Sequence, residues 1–298
     1  MASIHSIMDR FPMVISSVFP KYFREGVESP TIWEHVDAVR FTAPDLTAPG
    51  DHKVTAQTQV GELEALVRVF RSPDSTAPLI IYQHGAKEFD TSFKGIFGKQ
   101  PRTDAHHVLV RAPFHENFRR FLYGIGSLSR YLAMYAVSAC LMDAVIRQFR
   151  QAGCGPVTVC GTSLGGFISL VHHIRYNTAD AYAPLLAGPN LAHCLLDSAY
   201  ARQTAPGAKG AQRPYVQRRL DFSAEYGKVD HSNVFPLLGR FDQIVMPSAN
   251  AESYGATPIQ LIDRGHMTGS TAFALLREHI YSVAFNATSG GHARKIPS

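Results

Sequence analysis

The stretch Val157-Thr158-Val159-Cys160-Gly161-Thr162-Ser163-Leu164-Gly165-Gly166 is a β-branched run that breaks into a Gly-x-Ser-x-Gly turn. Such a turn presents one side chain at the tip of a sharp strand-to-helix bend. Its flanking positions must lack side chains so that strand and helix can approach closely. Gly161 and Gly165 meet that requirement and nominate Ser163 as a nucleophile. The following residues, Phe167 to Ile174, place apolar side chains at helical spacing, so the turn opens a helix whose first amides face a developing anion. With 23 Gly and 22 Ser in 298 residues, chance supplies the pattern in roughly one such chain in eight, so its weight rests on context.

Upstream, Val54–Val60 and Leu63–Phe70 alternate as two antiparallel strands around Gly61 and Glu62. Leu79-Ile80-Ile81-Tyr82 is a continuous apolar run, as in a strand buried on both faces, and ends in Gln83-His84-Gly85-Ala86. Val108-Leu109-Val110 is a second such run. From Leu128 to Phe149 apolar residues recur every three or four positions, predicting a long helix that stops before Gly153 and Gly155. Downstream, strands are expected at Ala192–Leu196, ending at Asp197; at Val234–Leu238, ending in Gly239-Arg240-Phe241-Asp242; and at Ile259–Ile262, leading to Asp263-Arg264-Gly265-His266. A helix from about Thr268 to Phe285 closes the pattern. Two opening strands and then alternating strands and helices predict an α/β fold: a mostly parallel central sheet with helices on both faces and chemistry at the strand C-termini.

One domain is expected over residues 54–285, with a short cap insertion at about 198–233. A lead-in, residues 1–53, packs on the outside of the core and carries no assigned function, and 286–298 forms a tail. The net charge of +5, from 29 Lys plus Arg against 24 Asp plus Glu, is dispersed along the chain, and no basic stripe or module for nucleic acid is present. The segment Phe11–Phe19 is too short and too broken by Pro12 to span a membrane, so no stable membrane insertion and a cytoplasmic location are expected. Cys140, Cys154, Cys160 and Cys194 read as free thiols. The adjacent pairs His106-His107 and His172-His173 point in different directions on a strand or a helix, and no metal or cofactor is expected.

Ser163, Asp242 and His266 each follow a predicted strand, in the order Ser, Asp, His. With the Gln83-His84-Gly85-Ala86 segment, this order resembles the α/β-hydrolase superfamily over roughly residues 54–285. The resemblance implies a triad in which His266 takes the Ser163 proton and Asp242 orients and stabilises His266. It also implies an oxyanion hole from the backbone N–H groups of Ala86 and Leu164, with His84 shaping the loop rather than transferring protons. Asp197 is the rival acid; Asp263 lies too close to His266 in the same loop, and His231 precedes its strand. The cap aromatics Tyr200, Tyr215, Phe222 and Tyr226, and the Lys87–Pro101 loop with Phe89, Phe93, Ile96 and Phe97, are expected either to contact substrate or to pack as an ordinary lid; the cap arginines Arg202, Arg213 and Arg218 read as solvent-exposed, with a substrate carboxylate as the alternative partner. The implied activity is cleavage of a carboxylic ester, or a related acyl bond, in a small-molecule acyl substrate; thioester, lactone, amide and carbon–carbon bond cleavage use the same residues and stay open. An acyltransferase, lyase or perhydrolase, and a catalytically silent binding module, stay open as alternatives.

Overall fold

The computed structural model describes residues 4–15, 21–88 and 91–286. The expected tail beyond 286, Phe89 and the side chains of Phe11–Phe19 therefore lie outside the described residues. Among the described residues eight strands form one sheet: β1 (Gly50–Thr58), β2 (Gly61–Phe70), β3 (Leu79–Gln83), β4 (His106–Arg111), β5 (Val157–Thr162), β6 (Ala181–Leu185), β7 (Leu237–Gly239) and β8 (Gln260–Ile262). The helices are α1 (Ile4–Ile15), α2 (Ile32–Ala38), α3 (Thr91–Phe97), α4 (Phe118–Gly126), α5 (Leu128–Gln151), α6 (Leu164–Arg175), α7 (Leu191–Leu196), α8 (Pro206–Lys209), α9 (Arg213–Leu220), α10 (Ser223–Tyr226), α11 (Pro247–Tyr254), α12 (His266–Ser270) and α13 (Phe273–Asn286). The strands lie in the spatial order β1-β2-β4-β3-β5-β6-β7-β8. The two pairings that involve β2 are antiparallel, and those from β4 onward across the sheet are parallel. Thr58 pairs with Gly61, so the hairpin turns at Gln59-Val60 rather than at Gly61-Glu62.

The apolar runs are continuous because the central strands face protein on both sides. Leu79, Ile81, Val108, Val110, Val157 and Val159 enter one core, which holds α5 and α6. Ile80, Tyr82, Leu109 and Cys160 enter the other, beneath α3 and α13. Such alternation is the period-two geometry of a strand applied to a two-faced core.

Helix α5 is apolar nearly all round, and long and apolar enough to cross a membrane by those two criteria; here the helix is largely buried in this chain's own core. What covers its far side is the lead-in. Tyr22, Phe23, Val27, Val39, Leu46 and α2, with buried Ile32 and Val36, join the same core, each apolar side chain contributing about 2 kcal/mol. A complete capping box starts α2: Thr31 accepts from the Glu34 N–H, and the Glu34 side chain accepts from the Thr31 N–H. Residues 21–49 therefore wrap the outside of α5 and send these side chains into its core.

Other expectations are corrected. Ala192–Leu196 is helical, in α7, whose start is capped by Asn190 accepting from the His193 N–H. The strand after α6 is β6, whose Ala-Tyr-Ala-Pro-Leu lacks a β-branched signature but is buried throughout. The Lys87–Pro101 stretch contains α3, and its Phe93, Ile96 and Phe97 pack into the core instead of facing a ligand. The final helix is two helices, α12 and α13. Val234 makes only an isolated bridge to Tyr182 before β7.

The Gly-x-Ser-x-Gly turn joins β5 to α6 where three backbones converge. A Cβ on Gly161 would sit 2.4 Å from the Gly165 carbonyl carbon, and one on Gly165 would sit 2.1 Å from the Gln83 carbonyl oxygen. Both obstacles are backbone and cannot rotate away. We therefore predict that Gly165→Ala destabilises the fold by about 3 kcal/mol, the upper end of the cost of overpacking. Gly227→Ala, whose nearest neighbour is 3.6 Å away, should stay within about 0.5 kcal/mol of wild type. Urea denaturation of the two variants makes the comparison, and equal stabilities would refute the packing account.

Several buried histidines favour the folded chain only while they are neutral, His84, His107 and His172 among them. Burial pulls His84 and His107 down to about 4 and His172 down to about 3. Unfolding restores the ordinary value near 6.5, so between pH 6.5 and 4 the unfolded chain binds protons that the folded chain refuses. Stability from this source is complete above about pH 6.5 and is lost as pH falls toward 4, each histidine contributing up to about 1.4 kcal/mol per pH unit. Denaturation midpoints should hold level from about pH 7.5 to about pH 6.5 and then fall toward about pH 4.5; a profile flat throughout would contradict neutral burial.

Candidate active site

Ser163 stands at the end of β5 with φ 53° and ψ −113°, a left-handed conformation that costs a non-glycine residue about 1–3 kcal/mol. The surroundings impose it. The Ser163 N–H donates to the Leu185 carbonyl on β6 at 2.8 Å, while its carbonyl accepts from the Phe167 N–H at 3.0 Å as the first turn of α6. Strand and helix thus hold the residue from both ends, and its side chain turns out of the sheet.

Ser163 Oγ lies 2.9 Å from His266 Nε2, and His266 Nδ1 lies 2.8 Å from Asp242 Oδ2. The other Asp242 oxygen accepts from the N–H groups of Ile244 and Val245, both at 2.7 Å. That leaves the carboxylate no freedom to turn from the imidazole. The three residues, at the ends of β5, β7 and β8, are brought together from positions up to 103 residues apart. Burial raises the Asp242 carboxyl above its usual range, against the opposing pull of His266. Burial alone would lower His266, but the charges of Asp242, Asp9 and Glu88 and the hydrogen bond to Asp242 together raise it above 6.5.

The rivals lie elsewhere in the hydrogen-bond network. Asp197 ends α7 and pairs with Arg213 at 2.7 Å; Asp263 pairs with Arg240 at 2.7 Å. His231 bonds through Nδ1 to the Val229 carbonyl. His84 is fully buried, with Nε2 accepting from the Ala112 N–H at 3.0 Å, which leaves Nδ1 to donate to the Gly85 carbonyl at 2.8 Å. It is a neutral strut that fixes the turn carrying Ala86.

Ala86 and Leu164 both line the cleft beside Ser163, and among the described residues neither backbone N–H is spent on a backbone carbonyl. The cleft measures about 140 Å³. Its walls are largely residues for which the sequence offered no local signal: Tyr22 from the lead-in, Tyr131 and Tyr135 from α5, Phe167 from α6, Leu191, Cys194 and Leu195 from α7, and Glu88. Tyrosines within a helical apolar pattern look like ordinary core residues until the fold shows which end of the helix reaches the site. The Tyr131 and Tyr135 hydroxyls are 2.8 Å apart, and the Tyr22 and Tyr200 hydroxyls 3.1 Å apart. Burial raises Glu88 above the usual carboxylate range.

Of the expected cap aromatics, only Tyr200 reaches the cleft. Phe222 and Tyr226 are buried in the core, with Tyr226 Oη 2.8 Å from Thr257 Oγ1, and Tyr215 donates to the Ser29 carbonyl. The cap consists of the 3₁₀ turn Ala199–Gln203 and the short helices α8, α9 and α10. Arg213 is engaged by Asp197, and none of Arg202, Arg213 and Arg218 lines the cleft.

No family model matches the chain, and no curated protein matches its sequence. Solved structures do resemble it. Acylaminoacyl peptidase of Pyrococcus horikoshii is 12% identical with a TM-score of 0.53, over 84% of this chain and 42% of that one. TT1662 from Thermus thermophilus is 14% identical with a TM-score of 0.51, over 84% and 97%. A prolyl endopeptidase is 13% identical with a TM-score of 0.53, over 83% and 39%. The chain thus spans about two fifths of the length of the two peptidases. At such low identity the common ground is architecture. The mostly parallel sheet, the strained serine between β5 and α6, and these structural relatives together identify the α/β-hydrolase fold.

Proposed function

We propose that the chain is a serine hydrolase that cleaves a carboxylic ester of a small-molecule acyl substrate through an acyl-enzyme on Ser163. The observation that carries this reading is the unbroken relay from Ser163 Oγ to His266 Nε2 and from His266 Nδ1 to Asp242, at 2.9 and 2.8 Å, opening into a cleft. In the proposed reaction His266 Nε2 accepts the Ser163 proton as Oγ bonds to the carbonyl carbon. The carbonyl oxygen becomes an anion that accepts from the N–H groups of Ala86 and Leu164, each donor worth about 3–4 kcal/mol in the transition state. His266 then gives its proton to the departing alkoxide, leaving the acyl group on Ser163. Water attacks that ester with His266 again as base, and the acid leaves as Ser163 regains its proton.

Asp242 stabilises the imidazolium formed at each attack and keeps the Nδ1–H tautomer. The tyrosine and leucine wall limits the room beside Ser163, which favours a short acyl group over a long one. The named peptidases resemble this chain over less than half of their length, so their peptide substrates do not carry over with the fold.

A fluorophosphonate probe should label the wild-type chain and fail to label Ser163→Ala. Absence of label on the wild type removes the nucleophile. Asp242→Asn should lower kcat about 10⁴-fold with the fold intact, and Asp197→Asn should remain near wild type; the reverse outcome would transfer the acid role to Asp197. Turnover of an acyl-ester series beside matched amides, with and without an alcohol acceptor, separates esterase from amidase and from acyltransferase. Since His266 works as a neutral base and is raised above 6.5, kcat/KM should fall as pH drops through a midpoint above that value.

A further inference from the structure

Helix α1 lies against α12, far in sequence from the residues it touches. Asp9 is its point of entry. Fully buried, it accepts through Oδ2 from the N–H groups of Gln243 at 3.0 Å and His266 at 2.8 Å, and through Oδ1 from that of Met267 at 2.9 Å. One carboxylate therefore ties the loop after Asp242 to the backbone of His266. Charge-assisted bonds of this kind are roughly twice as strong as neutral ones.

The Arg-Gly-His segment carries the imprint of this helix. Gly265 has φ −88°, which any residue adopts, so its backbone conformation does not call for glycine. Space does. A Cβ there would lie 2.7 Å from Asp9 Oδ2 and 2.8 Å from the His5 carbonyl oxygen, so the close approach of α1 is what excludes a side chain. Further ties flank it: Arg10 donates to Gln243 Oε1 at 2.6 Å, Ser6 to the Phe241 carbonyl at 3.3 Å, and His5 Nδ1 lies 3.0 Å from Thr268 Oγ1.

We propose that Asp9 is a positioning residue for His266, holding its peptide and that of Gln243 on one buried carboxylate so that the Ser163–His266–Asp242 geometry is assembled by the N-terminal helix. The proposal rests on the hydrolase reading. Asp9 does not line the cleft, so it acts on the imidazole and not on substrate. Its negative charge also favours the imidazolium. The charged and titratable groups around His266 include Asp242 from the loop after β7, Glu88 and Lys87 from the loop after β3, Asp9, His5 and Arg10 from α1, Asp263 and Arg264 from its own loop, with Asp263 engaged by Arg240, and, across the cleft, Cys194 and the hydroxyls of Tyr22, Tyr131, Tyr135 and Tyr200.

The test is the pH profile of full-length Asp9→Asn, with Asp9→Glu as the charge-retaining variant. Asparagine leaves one oxygen acceptor and sets an NH₂ against an N–H. Losing the charge lowers the His266 pKa, so the acid limb of kcat/KM should move down by about one pH unit. kcat should fall about tenfold with KM nearly unchanged, and glutamate should restore the limb toward wild type. A folded Asp9→Asn variant with wild-type kcat and acid limb overturns the proposal. Should that variant fail to fold, hydrogen exchange of the wild-type amides decides: those of Gln243, His266 and Met267 should exchange only through large-scale opening, and loop-like exchange overturns the role. If the wild type itself takes no fluorophosphonate label, it is the hydrolase reading that fails, whatever the exchange data say of Asp9.

Discussion

At the junction of β3, β5 and α6 the backbones come so close that no side chain fits between them. The Gln83 carbonyl, the β5 residue Gly161 and the first turn of α6 at Gly165 occupy the room that two Cβ atoms would need. The placement of Ser163 follows from that contact. It forces Ser163 into a left-handed conformation, turns its hydroxyl out of the sheet, and sets the amide of Leu164 beside the turn carrying Ala86. A parallel sheet buried on both faces supplies the rigidity to hold the strain, because β5 cannot shift without dragging β3 and β6.

The site is then completed by elements far away in sequence. Asp242 and His266 sit at the ends of β7 and β8, short strands of three residues each, which by themselves orient their following loops weakly. Backbone amides from Ile244 and Val245 hold the Asp242 side chain, and the buried carboxylate of Asp9 holds the Gln243 and His266 amides. The lead-in thus has two structural tasks. Residues 21–49 cover α5, and α1 reaches the loops of Asp242 and His266.

The strand and helix pattern was largely legible because buried strands and a core helix must be apolar at fixed periods. Leu79–Gln83, Val157–Thr162 and Leu128–Gln151 fall close to where periodicity puts them. Elsewhere local composition and tertiary role part company. Ala192–Leu196 has strand-compatible residues, but Asn190 caps a helix there; Ala181–Leu185 has little β-branching and is a strand because it is clamped between β5 and β7. On a loop, Phe93, Ile96 and Phe97 would be free to contact a ligand. As one face of a short helix they are core.

Ser163, Asp242 and His266 could be nominated from sequence because each follows a strand, and strand ends share one edge of a parallel sheet. Gly161 and Gly165 were legible for a similar reason: a sharp strand-to-helix turn has a local steric demand that shows in the residues themselves. The choice between Asp242 and Asp197 as the partner of His266, the tyrosine wall of the cleft and the attachment of Asp9 to the His266 loop have no local signature. They depend on distances across the fold, between residues up to 258 positions apart. Hydrogen bonds of about 3 Å between such partners are specified by packing of the whole chain, and only the tertiary structure decides them.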